Sequence, residues 1–246
     1  NILKALNRNQ EAESAFRQAI SLDPNSSTAY SNLGLVLKEM GKLEEAELMT
    51  RKAIQIDPNF ADAHHNLSLI LLKRDHFQEG WKEYEWRWQA SKKIGTQLST
   101  SRPEWSPVQR GRVLLWAEQG IGDEILFSSL IPDFIEKVDK LIVKVDQRLI
   151  PLLKRSFNEK TEYRDKNDVI EEEDYDYHIA MGSLPRFLRP TLNSFRHAKP
   201  LKLQADKEKY LNIRSKINSD RYKKIVGISW KSKNDQYNKK SFSLEQ

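Results

Sequence analysis

The sequence predicts two kinds of structure in one chain: helical hairpins stacked as a repeat array over residues 1–90, then an α/β domain with a largely parallel sheet. Three observations predict it. Residue pairs recur at a spacing of 34 through the first part of the chain. Beyond residue 111, short apolar runs alternate with amphipathic stretches, the pattern of strands joined by helices. Between the first such run and the first such stretch lies Trp116-Ala117-Glu118-Gln119-Gly120-Ile121-Gly122-Asp123-Glu124, a glycine-containing turn from strand into helix.

A chain of 246 residues with 38% hydrophobic content can bury the cores of two domains. The charged fraction of 31% and mean hydropathy of −0.72 describe a polar chain. No run of 18 apolar residues occurs, so no helical membrane span is expected. The absence of cysteine excludes disulfides and thiolate metal sites and fits a reducing compartment, which makes a cytoplasmic location the expectation. A net charge of +6 and a pI near 9.3 raise the question of nucleic acid. The excess concentrates in residues 196–240, with 14 Lys and Arg against 4 Asp and Glu, and lacks a stripe of interleaved aromatics. A solvated lysine-rich surface is the first reading, an anionic donor the second, and nucleic acid is not expected. The chain opens on Asn1 inside a repeat and stops where 241–246 reads as a helix beginning, so it is expected to be a piece cut at both ends.

The repeat is visible in Glu11-Ala12 and Glu45-Ala46, in Ala19-Ile20 and Ala53-Ile54, and in Asp23-Pro24 and Asp57-Pro58. This period and these residues resemble the tetratricopeptide repeat, a helix-turn-helix unit. The complete copy spans about 27–59, with Tyr30, Leu33, Gly34, Leu37, Ala46, Ala53 and Pro58 in the family's positions. Gly34 and Ala46 are small where paired helices cross, Leu33 and Leu37 fill the seam, Gly41 separates the helices, and Asp57-Pro58 ends the second one. The unit from Ala61 degrades: Gly80 replaces the alanine, and Trp81, Tyr84, Trp86 and Trp88 crowd its second helix. A terminal repeat must end against something, so this cluster is expected to pack on the second domain, with a carbohydrate or peptide platform as the alternative. A metal role for His64 and His65 is disfavoured, because adjacent helical residues diverge by about 100° and no Asp, Glu or His stands at i+4.

Residues 91–111 carry Gly95, Pro103, Pro107 and several Ser and Thr, which is linker composition. Strands are expected at 112–117, 140–145, 176–180 and 225–230, with helices at 123–137, 147–156, 183–188 and 207–217, giving a Rossmann-like sheet with helices on both faces. The domain boundaries are therefore drawn at 1–90 for the repeats, 91–111 for the linker, 112–222 for the α/β domain and 223–246 for the start of a further domain. Gly120-Ile121-Gly122 is not a dinucleotide fingerprint, since the third glycine is missing, and no Gly-Lys-Ser/Thr makes it a P-loop.

The 116–127 stretch, together with Gly182-Ser183-Leu184-Pro185 and Val226-Gly227-Ile228-Ser229-Trp230, resembles bacterial proteins in which tetratricopeptide repeats precede a GT-B glycosyltransferase domain, the architecture of O-linked-GlcNAc transferases. The Gly122-Asp123 helix start followed by Pro132 is similar to the N-terminal motif of heptosyltransferases. The resemblance implies that 112–222 is the acceptor-side half of a GT-B fold and that 223–246 opens the donor half. It implies a nucleotide-sugar as co-substrate with no further cofactor and no metal, and an acceptor, protein or saccharide, chosen by a partner-binding repeat surface.

By the same resemblance Asp123 is the catalytic base, while Gly120, Gly122, Glu124 and Ser183 line the acceptor side. Ser229, Lys231, Ser232, Lys240 and Ser241 would hold the donor phosphates, where cations, hydroxyls and a helix N-terminus suit a diphosphate; an ordinary surface loop is the alternative there. Transfer needs a base for the acceptor hydroxyl and positive charge for the leaving diphosphate. Asp123 reads equally as a helix N-cap, which would lower its pKa, and Glu118 and Glu124 are the fallback bases. Ser183 reads as a ligand hydroxyl or as a plain cap. For His178, Arg186 and Arg189, core and solvated-face roles are favoured over an anion clamp. The rival function is a non-catalytic scaffold that works through the repeats.

Overall fold

The computed structural model describes residues 2–91, 95–157, 161–200 and 202–217. The chain divides into two compact units, Asn1–Gln204 and Ala205–Gln246. The first begins with helices α1 (Ile2–Leu22), α2 (Ser27–Glu39), α3 (Leu43–Ile56), α4 (Ala61–Lys73) and α5 (Phe77–Tyr84), the last running into a 3-10 turn, Glu85–Trp88.

The 34-residue period is physical as well as textual. Asp23 and Asp57 each accept, through Oδ1, the N–H of the residue two places on, closing equivalent turns after α1 and α3. Arg17 pairs with Glu13 on its own helix and with Glu45 on α3, and Arg51 repeats this with Glu47 and with Glu79 on α5. Leu33, Leu37, Ala46 and Ile70 form one buried cluster with Phe16, Ile20 and Met49 against it. Gly34 is required by contact, since a Cβ there would sit 2.1 Å from Thr50 Oγ1 and 3.0 Å from the Ala46 carbonyl. Gly41, with φ +79, makes the reversal between α2 and α3 that an L side chain resists.

The α/β part runs β1 (Arg112–Trp116), α6 (Ile121–Ser128), α7 (Ile131–Phe134), β2 (Lys140–Val145), α8 (Ile150–Ser156), β3 (Thr161–Asp165), β4 (Tyr177–Ala180), α9 (Pro185–Leu188) and α10 (Leu192–Arg196). The four strands are all parallel in the order β3-β2-β1-β4. One face carries Val113, Leu115, Leu141, Val143, Tyr163 and Ile179, packed against Phe127, Phe134, Leu153 and Leu188 of the helices. The other carries Leu114, Trp116, Ile142 and Ala180.

Several expectations are refined. Helices were expected on both faces, but among the described residues the second face is covered by Trp88 of the last repeat, Leu98, Ile170 and Tyr175. The helix expected over 123–137 is two, because Pro132 in the first turn of α7 has no N–H to continue α6. Strand β3 was not expected. The stretch 91–111 has linker composition, yet Trp105 is 1% exposed within the core and its N–H donates to the His178 carbonyl at 2.8 Å. The aromatic crowd of the last repeat does pack on the sheet domain: Trp81 Nε1 donates to the Arg189 carbonyl at 2.9 Å, and Trp88 lies 5.7 Å from Trp116.

In the second unit the described element is α11 (Lys207–Ile217), whose Lys209 N–H is held by Asp206 Oδ1. The strand expected at 225–230 and the phosphate residues Ser229, Lys231, Ser232, Lys240 and Ser241 lie outside the described residues.

Candidate functional site

Parallel strands open a crevice at their carboxyl ends. Here β1 and β4 are neighbours, so the loops at 117–120 and 181–184 meet there, and the last repeat reaches both. Its Arg87 is completely buried. Nη2 donates to Ser183 Oγ at 2.7 Å and to Glu118 Oε1 at 3.1 Å, Nη1 donates to Glu85 Oε1 at 2.9 Å, and the guanidinium lies over the Trp88 ring at 4.2 Å. Ser183 Oγ in turn donates to Glu85 Oε2 at 2.9 Å. Glu118 Oε1 also accepts from Gly182 N–H and Gln119 Nε2. A buried charge persists only when paired and hydrogen-bonded, and this network ties the repeats to both loops. Tyr84 caps it, bonded by Gln119 Nε2 at 3.0 Å, and burial pushes its phenol pKa up.

Glu118 and Ser183 are thus interior fixtures. Ser183 is not a cap, since Leu184 occupies the N-cap position of α9. Asp123 is not the cap of α6 either. Gly120 is, and Asp123 sits three residues on with its N–H on the Gly120 carbonyl at 2.9 Å. Its side chain is exposed, and among the described residues no hydrogen bond or ion pair holds the carboxylate. Glu124, one residue on, is buried, with Oε2 accepting the Asp146 N–H at 2.7 Å and Lys166 3.5 Å from Oε1. It pins the start of α6 to the end of β2. Gly122 is exposed, and a Cβ there would meet nothing within 4 Å.

Beside the network, on the second face of the sheet, a cavity of about 240 Å³ is lined by Glu85, Trp88, Gln97, Glu104, Trp116, His178, Ala180 and Ser183. His178 Nδ1 accepts from Trp116 Nε1 at 3.2 Å, which leaves the ring proton on Nε2. Burial lowers the His178 pKa against the opposing pull of Glu104 and the Arg102 backbone, so the ring is neutral. Arg186 reaches Glu104 at 2.7 Å and Glu85 at 3.9 Å, and Arg189 is bonded to Asp133. Both arginines have carboxylate partners.

The paired histidines of α4 are also engaged or enclosed. His64 stacks on Trp86 at 4.0 Å, with its two nitrogens on Glu83 and the Pro58 carbonyl, while burial lowers the His65 pKa. Among the described residues no group of three or more His, Cys, Asp and Glu is placed to hold a metal. Sequence reasoning named Glu118, Ser183 and Asp123 but missed Arg87, Glu85 and Glu104. The available signal was an arginine between two tryptophans at the end of the array.

Comparison with known proteins agrees with the repeat assignment. The family described as "Tetratricopeptide repeat" matches residues 27–60, and that described as "TPR repeat" matches 1–41. The chain therefore carries tetratricopeptide repeats followed by a parallel α/β sheet. It is 29% identical over 171 residues to "Protein FlbA" of Caulobacter vibrioides, an alignment covering 63% of this chain and 28% of that protein. Among solved structures it is similar to a K341M mutant of Thermobaculum terrenum O-GlcNAc transferase, with a TM-score of 0.30, 15% identity, and coverage of 66% of this chain and 39% of that one. The chain thus spans well under two thirds of the length of either. No helix among the described residues is long and apolar enough to cross a membrane.

Proposed function

We propose that this chain is the acceptor-side part of a cytoplasmic, metal-independent glycosyltransferase, with the tetratricopeptide array choosing or docking a protein or saccharide acceptor. The observation that carries the reading is the state of Asp123: a carboxylate with no hydrogen bond or ion pair among the described residues, on the strand-to-helix turn at the carboxyl edge of a parallel sheet. The neighbouring carboxylates Glu118 and Glu124 are spent on structure. In this reading Asp123 takes the proton of the acceptor hydroxyl, Gly120 and Gly122 let a ligand approach the turn, and the diphosphate of the nucleotide-sugar falls to Ser229, Lys231, Ser232, Lys240 and Ser241. The experiment is a donor panel: the full-length protein incubated with UDP-, GDP-, ADP- and CMP-sugars, following nucleotide release. Release from at least one donor is expected, and none from any would sink the assignment.

The second reading, a scaffold that works through its repeats, is favoured by the engagement of Glu118, Glu124 and Ser183, which leaves Asp123 as the free acid of this turn among the described residues. The same panel separates the two, because a scaffold binds a protein partner and turns over nothing.

A further inference from the structure

The cavity beside the Arg87 network has a chemistry that neither Asp123 nor the donor-phosphate residues use. We propose that it binds one ring of a neutral saccharide, on the reading above the acceptor sugar. Its volume of about 240 Å³ lies just under the ~300–1,000 Å³ of drug-sized ligand sites, room for a single ring. Its walls divide by type. Trp88 and Trp116 supply the smaller, apolar part of the wall, while Glu85, Glu104 and Gln97 present oxygens that accept hydrogen bonds.

Charge selects among ligands. Each of these wall carboxylates is already answered by an arginine, Glu85 by Arg87 at 2.9 Å and Glu104 by Arg186 at 2.7 Å, so they offer no unpaired charge to an ion of either sign. A neutral ligand rich in O–H donors uses the lone pairs that remain on their oxygens. The place is also right: Trp116 and Ala180 are the last residues of β1 and β4, so the cavity lies against the carboxyl edge of the sheet, and Trp88 makes the repeat array part of its wall.

The experiment is saturation-transfer NMR and calorimetry on the full chain with neutral mono- and disaccharides, without nucleotide. Two variants accompany the wild type: Gln97→Trp, at an exposed position, fills the cavity, and Glu104→Gln removes an acceptor oxygen at its rim. Circular dichroism checks that both fold. The expected result is binding of at least one neutral saccharide, weakened tenfold or more by Gln97→Trp and by Glu104→Gln. Absence of binding up to tens of millimolar, binding indifferent to both folded variants, or preferential binding of choline over every sugar would each overturn the proposal. The outcome is separable from that of the donor panel. Sugar binding without donor turnover supports the cavity and defeats the transferase, whereas turnover with no sugar held here does the reverse.

Discussion

Replacing Arg87 by methionine should cost about 3–5 kcal/mol, the penalty for leaving a buried charge without its partner. The structure says why the upper part of that range applies. Arg87 is completely buried and donates to Glu85, Glu118 and Ser183, and the Glu118 side chain is itself 1% exposed. Methionine matches the length but supplies none of these donors, so Glu118 loses its charged partner, with Oε1 left to Gly182 N–H and Gln119. By contrast the Arg110–Asp139 pair, with side chains 64% and 61% exposed, sits where ion pairs contribute at most about 1 kcal/mol. Against a total of about 5–15 kcal/mol for a typical domain, the Arg87 loss is large. Urea unfolding followed by tryptophan fluorescence measures it. Because Arg87 belongs to the repeats and its partners Glu118 and Ser183 to the α/β part, the variant should also separate one transition into two. Adding Glu118→Gln should restore part of the loss, with a coupling of about 0.5–3 kcal/mol. A single variant within about 0.5 kcal/mol of wild type, unfolding in one step, would refute the placement of this charge.

Three further outcomes follow from local geometry. Gly34→Ala should destabilise by about 1–3 kcal/mol through overpacking, because its Cβ would lie 2.1 Å from Thr50 Oγ1, whereas Gly122→Ala, with nothing within 4 Å, should leave the urea midpoint unchanged or higher. Glu172 holds the strap at Thr100 and Ser101 through their hydroxyls and the Ser101 N–H, which lowers its pKa from 4.5 to about 2. A lowered carboxylate stabilises above its unfolded value and stops doing so as pH falls through its folded one, so the protection factors of amides in 98–102, taken against the unstructured rate at each pH, should fall between pH 4.5 and about 2. Protection unchanged across that window would count against this anchoring by Glu172. Leu115→Ala, in the sheet centre between β2 and β4, should cost about 2–5 kcal/mol by cavity formation, read from the same urea curves.

The repeats were legible because their period is enforced by contacts that recur with it, such as the Arg17 and Arg51 ladders. Strands β1, β2 and β4 were legible from apolar runs. Strand β3 was not: Thr161-Glu162-Tyr163-Arg164-Asp165 is an edge strand with Thr161 and Tyr163 inward and charges between, a pattern too polar to stand out. The 91–111 stretch reads as a connector because its Pro and Ser outnumber its core residues, although one of them, Trp105, packs edge-on to Phe134. Arg87 was hidden for a deeper reason. A buried arginine is defined by partners far along the chain, here at 118 and 183, and no local pattern encodes such a meeting.

The turn at Asp123 decides the functional account. The direct measurement is kcat for sugar transfer by the full-length protein and by its Asp123→Asn variant, with an active donor and matched folding. If Asp123 is the base, the variant loses about 10²–10⁴-fold in kcat with its urea midpoint unchanged. A variant that transfers as fast as wild type would contradict the assignment.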